Sequence, residues 1–466
     1  MALTVLQQIL TSPSAGPLSD LKLEQILLDS LSKSLHHVDT FSQVALLDTI
    51  IAALKLNDQE FMSPQEHGGT VPRETIKTAR LSFSADGNEG DPAKPRGLKP
   101  PPPQLLECLQ QGFCSVVVRP VLDSWVNFLA DCLPLYSGTI FQILLPLVET
   151  LCSQIAQIVE GLRTSFEVEK PEEGFAPEAT LIALFNALEQ LLARAHDRLM
   201  TDEKIRGVNV KPPEQAQGFF GNMVSGVFAS ETTPERRATA NDRLTVLLSF
   251  KDAVRICFTV WSWGGHGPID TDRRMSSSAS FKYTSLRVRN RARRLLEQVF
   301  GAETLECLET VVEIWRQSIG GHERWRSSSV FAMLHVLDGS RPKITIPAIF
   351  NAIYSRTNPT ALDARSQSTL TSEIADHSIV AFLIEYARSL DDDAMDEIWT
   401  DCMAFLRDVL TNPFPHRQIL PALLDFTAIL GVKADNTTFG EQRRMRKDLS
   451  VSGPLPLHLS CSESRD

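Results

Sequence analysis

The stretch GFFGNMVSGVFASETTPERRATANDRLTVLLSFKDAVRICFTVWSW, Gly218 to Trp263, decides the fold. From Asn241 onward, Leu244, Leu247, Phe250, Val254, Cys257, Phe258 and Trp261 recur at steps of three and four. That is the period of one helix face. Arg243, Lys251, Asp252 and Arg255 fall mostly off that face, and Asn241 or Asp242 is placed to cap the start. Upstream, Phe219, Phe220, Met223, Val224, Val227 and Phe228 form a second, shorter stripe. Gly221, Asn222, Ser225 and Gly226 lie opposite, without a charge. Bulky apolar residues facing small polar ones suit either insertion into a loosely packed bilayer or the filling of a groove between helices. Its length, about 10 residues and ~15 Å as a helix, favours the groove.

The same helical period runs through the rest of the chain, and no alternating strand pattern competes with it. A first helical block covers residues 1–62, and a second covers 104–205. Between them, 63–103 is rich in Gly, Pro, Ser and charge and ends in a proline run, which predicts a disordered linker. Residues 206–240 read as a linker carrying the apolar segment 218–229, then 241–264 as the amphipathic helix and 265–286 as a basic Ser/Arg-rich loop. A C-terminal helical array fills 287–437, and 438–466 reads as an unstructured tail. In that array Leu305, Leu308, Val312, Trp315 and Ile319 mark one helix, stopped by Gly320 and Gly321. Successive helices with short polar breaks and no strict consensus predict an all-α chain: an irregular HEAT- or armadillo-like α-solenoid, or stacked helical bundles.

The formal net charge of −11 over 466 residues gives no global attraction to nucleic acid or anionic lipid. Eight cysteines in a chain of this length, mostly within apolar helical patterns, read as reduced core thiols. The N-terminus has no basic region, and Gln7 and Gln8 interrupt its apolar run, so no signal peptide is expected. CLPLYSGTIFQILLPLV, from Cys132 to Val148, is uncharged, but Pro134, Gly138, Gln142 and Pro146 make it a helix turn followed by a buried helix.

Catalytic signatures are lacking: there is no phosphate loop, nucleophile elbow or HExxH helix. Cys108 and Cys114 are badly spaced for zinc, and His36 and His37 point to different sides of a helix. No catalytic residue, metal ligand or cofactor is expected. The one strong charge feature is Arg273 to Arg294, RRMSSSASFKYTSLRVRNRARR, with seven arginines, one lysine and no acid. Arg287, Arg289, Arg291 and Arg293 are therefore candidates to touch anionic lipid or an acidic partner, Asp391 to Asp393 of this chain included. Arg273-Arg274-Met275-Ser276 has the form basophilic kinases read, making Ser276 a candidate phosphosite. Nucleic acid is not an expected partner, since only Phe281 and Tyr283 could stack on bases.

The stretch from Gly218 to Trp263, with LVETLCSQI from Leu147 and LPALLDFTAILG from Leu420, resembles the C-terminal region of the Dopey family. The resemblance extends from about Pro101 to Gly440, and it implies a piece of a longer protein, whose pattern the tail after Leu449 leaves. It implies a non-enzymatic peripheral scaffold of vesicle traffic between endosomes, trans-Golgi network and Golgi. A large partner related to Arf exchange factors and an aminophospholipid flippase come with that implication. A cargo-binding helical array of nuclear-transport type is the alternative.

Overall fold

The computed structural model describes residues 2–37, 39–62, 101–167, 177–209, 234–263, 275–319, 324–363, 366–368, 374–436, 445 and 447. Among them the regular structure is helical throughout, with no strand. Residues 63–100 of the expected disordered linker, the apolar stripe Phe219 to Phe228 and nearly all of the tail lie outside the described residues, while Pro103, expected in the linker, already belongs to a helix.

The chain divides into two compact units, Met1–Leu147 and Val148–Asp466. In the first, helices α1 (Ala2–Leu10), α2 (Leu23–Ser34), α3 (Thr40–Met62), α4 (Pro103–Cys114) and α5 (Leu122–Leu135) pack around α3 and α5. Pro103 opens α4, where its missing N–H costs nothing. Pro120 confines Val116–Val121 to a 3-10 turn, so α5 begins only at Leu122. Trp125 of α5 is fully buried and lies against Gly112 of α4. A Cβ on Gly112 would come within 2.2 Å of the indole, so only glycine lets these helices approach this closely.

Helix α6 (Ile140–Glu167) crosses the boundary between the units. As its sequence predicted, a turn at Ser137–Thr139 precedes it, and Leu144, Leu147, Val148, Leu151 and Ile155 are fully buried. The span Ser137–Thr164 is long and apolar enough to cross a bilayer, with half of its most apolar window buried inside the protein.

The second unit continues with α7 (Pro177–Asn209), α8 (Pro234–Ser262), α9 (Met275–Ala302) and α10 (Thr304–Ile319). Then come α11 (Arg324–Val336), α12 (Pro342–Thr357), α13 (Asp376–Ser389), α14 (Met395–Thr411) and α15 (Leu420–Asn436). Each packs on helices one, two or three places away in the chain: α8 on α7, α9 and α10; α10 on α11, α12 and α13; α13 on α15. That nearest-neighbour order is the logic of a helical array. Aromatic rings bridge it, with Trp315 edge-on to Phe382 at 5.4 Å and Phe350 stacked on Phe405 at 4.0 Å.

Several boundaries differ from the sequence expectation. Helix α8 starts at Pro234, so Asn241 and Asp242 lie inside it and cap nothing. The basic loop expected over 265–286 is helical from Met275, because no proline or glycine interrupts the chain between Met275 and Phe300. Arg287, Arg289, Arg291 and Arg293 consequently sit in the body of α9. Leu244 and Ile319, assigned to apolar faces, are 43% and 55% exposed.

Candidate functional site

Charge inside the second unit concentrates on one helix, α10. Glu303, just before it, and Glu306, Glu309 and Glu313 within it recur every three or four residues and line one side. Glu306 and Glu309 are buried, and Glu303 and Glu313 nearly so. The bases that meet Glu303, Glu309 and Glu313 come from three other helices, α7, α8 and α12. The Arg243 guanidinium of α8 donates to Glu303 and to Glu203 of α7, both at 3.1 Å. His196 Nε2 of α7 stands 3.5 Å from the same Glu303 carboxylate. Lys251 and Arg255 of α8 converge on Glu313 at 3.0 and 2.9 Å. Arg356 of α12 lies 3.6 Å from Glu309 and donates to the Ile374 carbonyl at 2.9 Å.

The electrostatics follow from burial and count. Burial alone would raise the Glu313 carboxyl, but the Lys251 hydrogen bond and the charges of Arg255 and Lys251 hold it below the glutamate range. At Glu306 burial dominates, Glu303 adds repulsion, and Arg243 only partly compensates, so that carboxyl is raised. Desolvation opposes the Arg243 charge, yet Glu303 and Glu203 outweigh it and keep the guanidinium firmly protonated. These groups are positioned to hold helices together.

The arginines singled out from the sequence lie along α9, and two of them, Arg289 and Arg291, turn inward. Arg287 pairs with Glu178 at 2.6 Å and lies over the Tyr283 ring. Arg289 stacks over Trp261 of α8 at 4.8 Å, and burial lowers its pKa. Arg291 is 10% exposed, donating through Nε to Asn186 Oδ1 at 2.9 Å and through its terminal nitrogen to Glu189. Arg293 pairs with Glu297 one turn on, at 2.9 Å. The cluster does find acids in its own chain, but they are Glu178, Glu189 and Glu297. Asp392 instead holds Lys433, which also caps the Leu390 carbonyl at the end of α13. Ser276 falls in the first turn of α9 by its backbone.

The seven described cysteines are free thiols, five of them buried. Burial pushes Cys108 and Cys152 up to about 12, leaving them inert as nucleophiles. Among the described residues, no group of three or more His, Cys, Asp or Glu is placed to hold a metal.

Sequence reasoning missed the acidic side of α10. The signal was present: Glu303 and then three glutamates at helical spacing within TLECLETVVEIW, in a helix otherwise apolar enough to be central. Apolar periodicity draws attention to Leu308, Val312 and Trp315, and treats interleaved acids as a solvated face.

Fold and charge arrangement together define a class: an all-α helical array whose charged side chains lock neighbouring helices to one another. A family model described as DOP1 C-terminal matches residues 382–452, from α13 past α15. The chain is 48% identical to "Protein dop1" of Emericella nidulans over 460 residues, 96% of this chain and 24% of that protein. It is 29% identical to "Protein DOP1" of Saccharomyces cerevisiae over 348 residues, 71% of this chain and 19% of that protein. The chain belongs to the Dopey, or DOP1, family. It spans about a quarter or less of the length of these curated relatives. The first alignment is longer than the resemblance read from the sequence, which left out residues 63–100. No solved structure matches the chain.

Proposed function

We propose that this chain is part of a non-enzymatic, peripheral-membrane scaffold in protein transport between endosomes and the Golgi. The observation that carries the reading is the commitment of charge in the second unit. Glutamates 303, 309 and 313 and their basic partners bind helix to helix. A rigid array built in this way offers extended surfaces to partners. Family membership supplies the setting, since the array is of Dop1 type. The proposed partners are a large traffic protein related to Arf exchange factors and an aminophospholipid flippase, with the protein in the cytoplasm and on Golgi, trans-Golgi network and endosome membranes.

The test tags the full-length protein at its native locus. Expected are co-sedimentation with Golgi and endosome membranes, release by high salt or alkaline wash, and co-purification of the Arf-exchange-factor-like protein. A protein that stays in the soluble fraction and brings down neither partner refutes the proposal.

A further inference from the structure

The outward side of α9 combines features that the packing of the helix does not use. Tyr283 and Leu286 are 62% and 56% exposed, with Arg287, Asn290 and Arg294 exposed on the same line. The spacing from Tyr283 to Arg294 follows the helical period and makes one stripe about 17 Å long. Arg287 keeps half its surface open although it pairs with Glu178, and its guanidinium lies 5.9 Å from the Tyr283 ring centroid. Arg294 makes no ion pair with a described residue. Beside the stripe, α7 and α9 enclose an open cleft of about 460 Å³, lined by Asn186, Glu189, Arg291, Arg294, Glu297 and Gln298.

Charge selects the occupant. Helix α9 carries Lys282 and Arg287, Arg289, Arg291, Arg293 and Arg294 against the single acid Glu297, in a chain whose net charge is −11. Such a local reversal attracts an anionic surface. A bilayer of anionic lipid fits poorly, because Glu189 and Glu297 line the adjoining cleft and three of the arginines are turned onto Trp261, Glu189 and Glu297. A polypeptide can present acids to Arg287 and Arg294, donors to the cleft's carboxylates and apolar side chains to Tyr283 and Leu286. Exposed tyrosine and arginine are also the residue types that dominate protein–protein contacts. We infer that the outward side of α9, with the α7–α9 cleft, docks an acidic, partly apolar segment of a partner protein. The inference rests on the scaffold reading and gives it a partner-binding surface.

The experiment uses the purified chain and a labelled helical peptide of about 12 residues, enough to cover the stripe, with glutamates on one side and leucines on the other. Fluorescence anisotropy should show binding that weakens with salt. Arg294→Glu and Leu286→Ser should each weaken it by about tenfold, with thermal stability unchanged because both side chains are exposed. A peptide with lysine in place of glutamate should bind Arg294→Glu better than the parent chain. Absent binding, or binding insensitive to both substitutions, overturns the inference. So does binding to phosphatidylserine vesicles that these substitutions abolish while the peptide fails to bind. Peptide binding that appears only after Glu169, Glu172 and Glu173 are changed to Gln assigns the surface to the chain's own acidic connection, and overturns it too. Probe binding by a chain whose parent protein stays off membranes would refute the transport reading alone.

Discussion

Replacing Arg291 with methionine separates an arginine that holds the protein together from one that serves a ligand. The side chain is 10% exposed and makes two directed interactions with α7, to Asn186 at 2.9 Å and to the Glu189 carboxylate. Methionine preserves much of the apolar stem and removes every donor. Glu189, 26% exposed, would then lose its charge partner, and Asn186 its donor. Exposed ion pairs contribute at most about 1 kcal/mol, and breaking a buried one costs about 3–5 kcal/mol. This pair lies between those limits, so a loss of about 2 kcal/mol is expected, on the order of 5 °C in Tm for a unit of this size. Arg294→Met, at an exposed position on the same helix, should change stability by less than about 0.5 kcal/mol. Urea denaturation of the purified variants followed by circular dichroism reads both values. If the Arg291 variant is as stable as the parent, the inward-turned reading of the basic helix is refuted, and Arg291 is again free for lipid or partner.

Gly112→Ala should destabilise the first unit by about 3 kcal/mol, because the new methyl would come about 1.3 Å inside carbon contact distance of a fully buried indole. Trp125→Phe in the same chain should recover part of that loss, and a double-mutant cycle with no coupling would show that the helices simply move apart. Glu306→Gln should alter the pH dependence of stability. Burial first, then Glu303, holds this carboxyl above its ordinary value, so the folded protein binds the proton more tightly than the unfolded chain. Its contribution is therefore fully present below the unfolded pKa and is lost as pH rises through the raised one. Denaturation midpoints taken at about pH 5 and about pH 7.5 should accordingly fall less with rising pH in the Gln variant than in the parent. Parallel curves would refute the assignment.

Apolar periodicity made the helices of the second unit legible, because burial repeats wherever a helix meets its neighbours. Leu247, Phe250, Val254, Cys257 and Phe258 are all buried as their spacing predicts. Helix ends were harder, since serine and arginine are compatible with both loop and helix. The run from Ser276 to Ser285 fits either by its composition. The direction taken by charged side chains was least legible. Arg291 reaches a glutamate more than 100 positions away, at Glu189, and nothing in either local sequence names the other. Exposure of Arg294, three positions from the nearly buried Arg291, was equally hidden. Both obey the same helical period, and only the position of α7 distinguishes them.

The glutamate ladder of α10 restricts how this array can change. In a consensus repeat protein, neighbouring units meet through interchangeable apolar surfaces, so a unit can be deleted or duplicated and the stack closes again. Here Glu303, Glu309 and Glu313 are each matched by a base on a particular helix: Arg243 and the Lys251–Arg255 pair on α8, and Arg356 on α12. Removing α8 would leave acids stranded in a desolvated interior, and sliding it by one turn would set Arg243 against a different carboxylate. Helices α8, α10 and α12 are thereby each keyed to one place in the order. An insertion in a connection between helices is therefore expected to leave the lock undisturbed, and one inside α8 or α10 to break it.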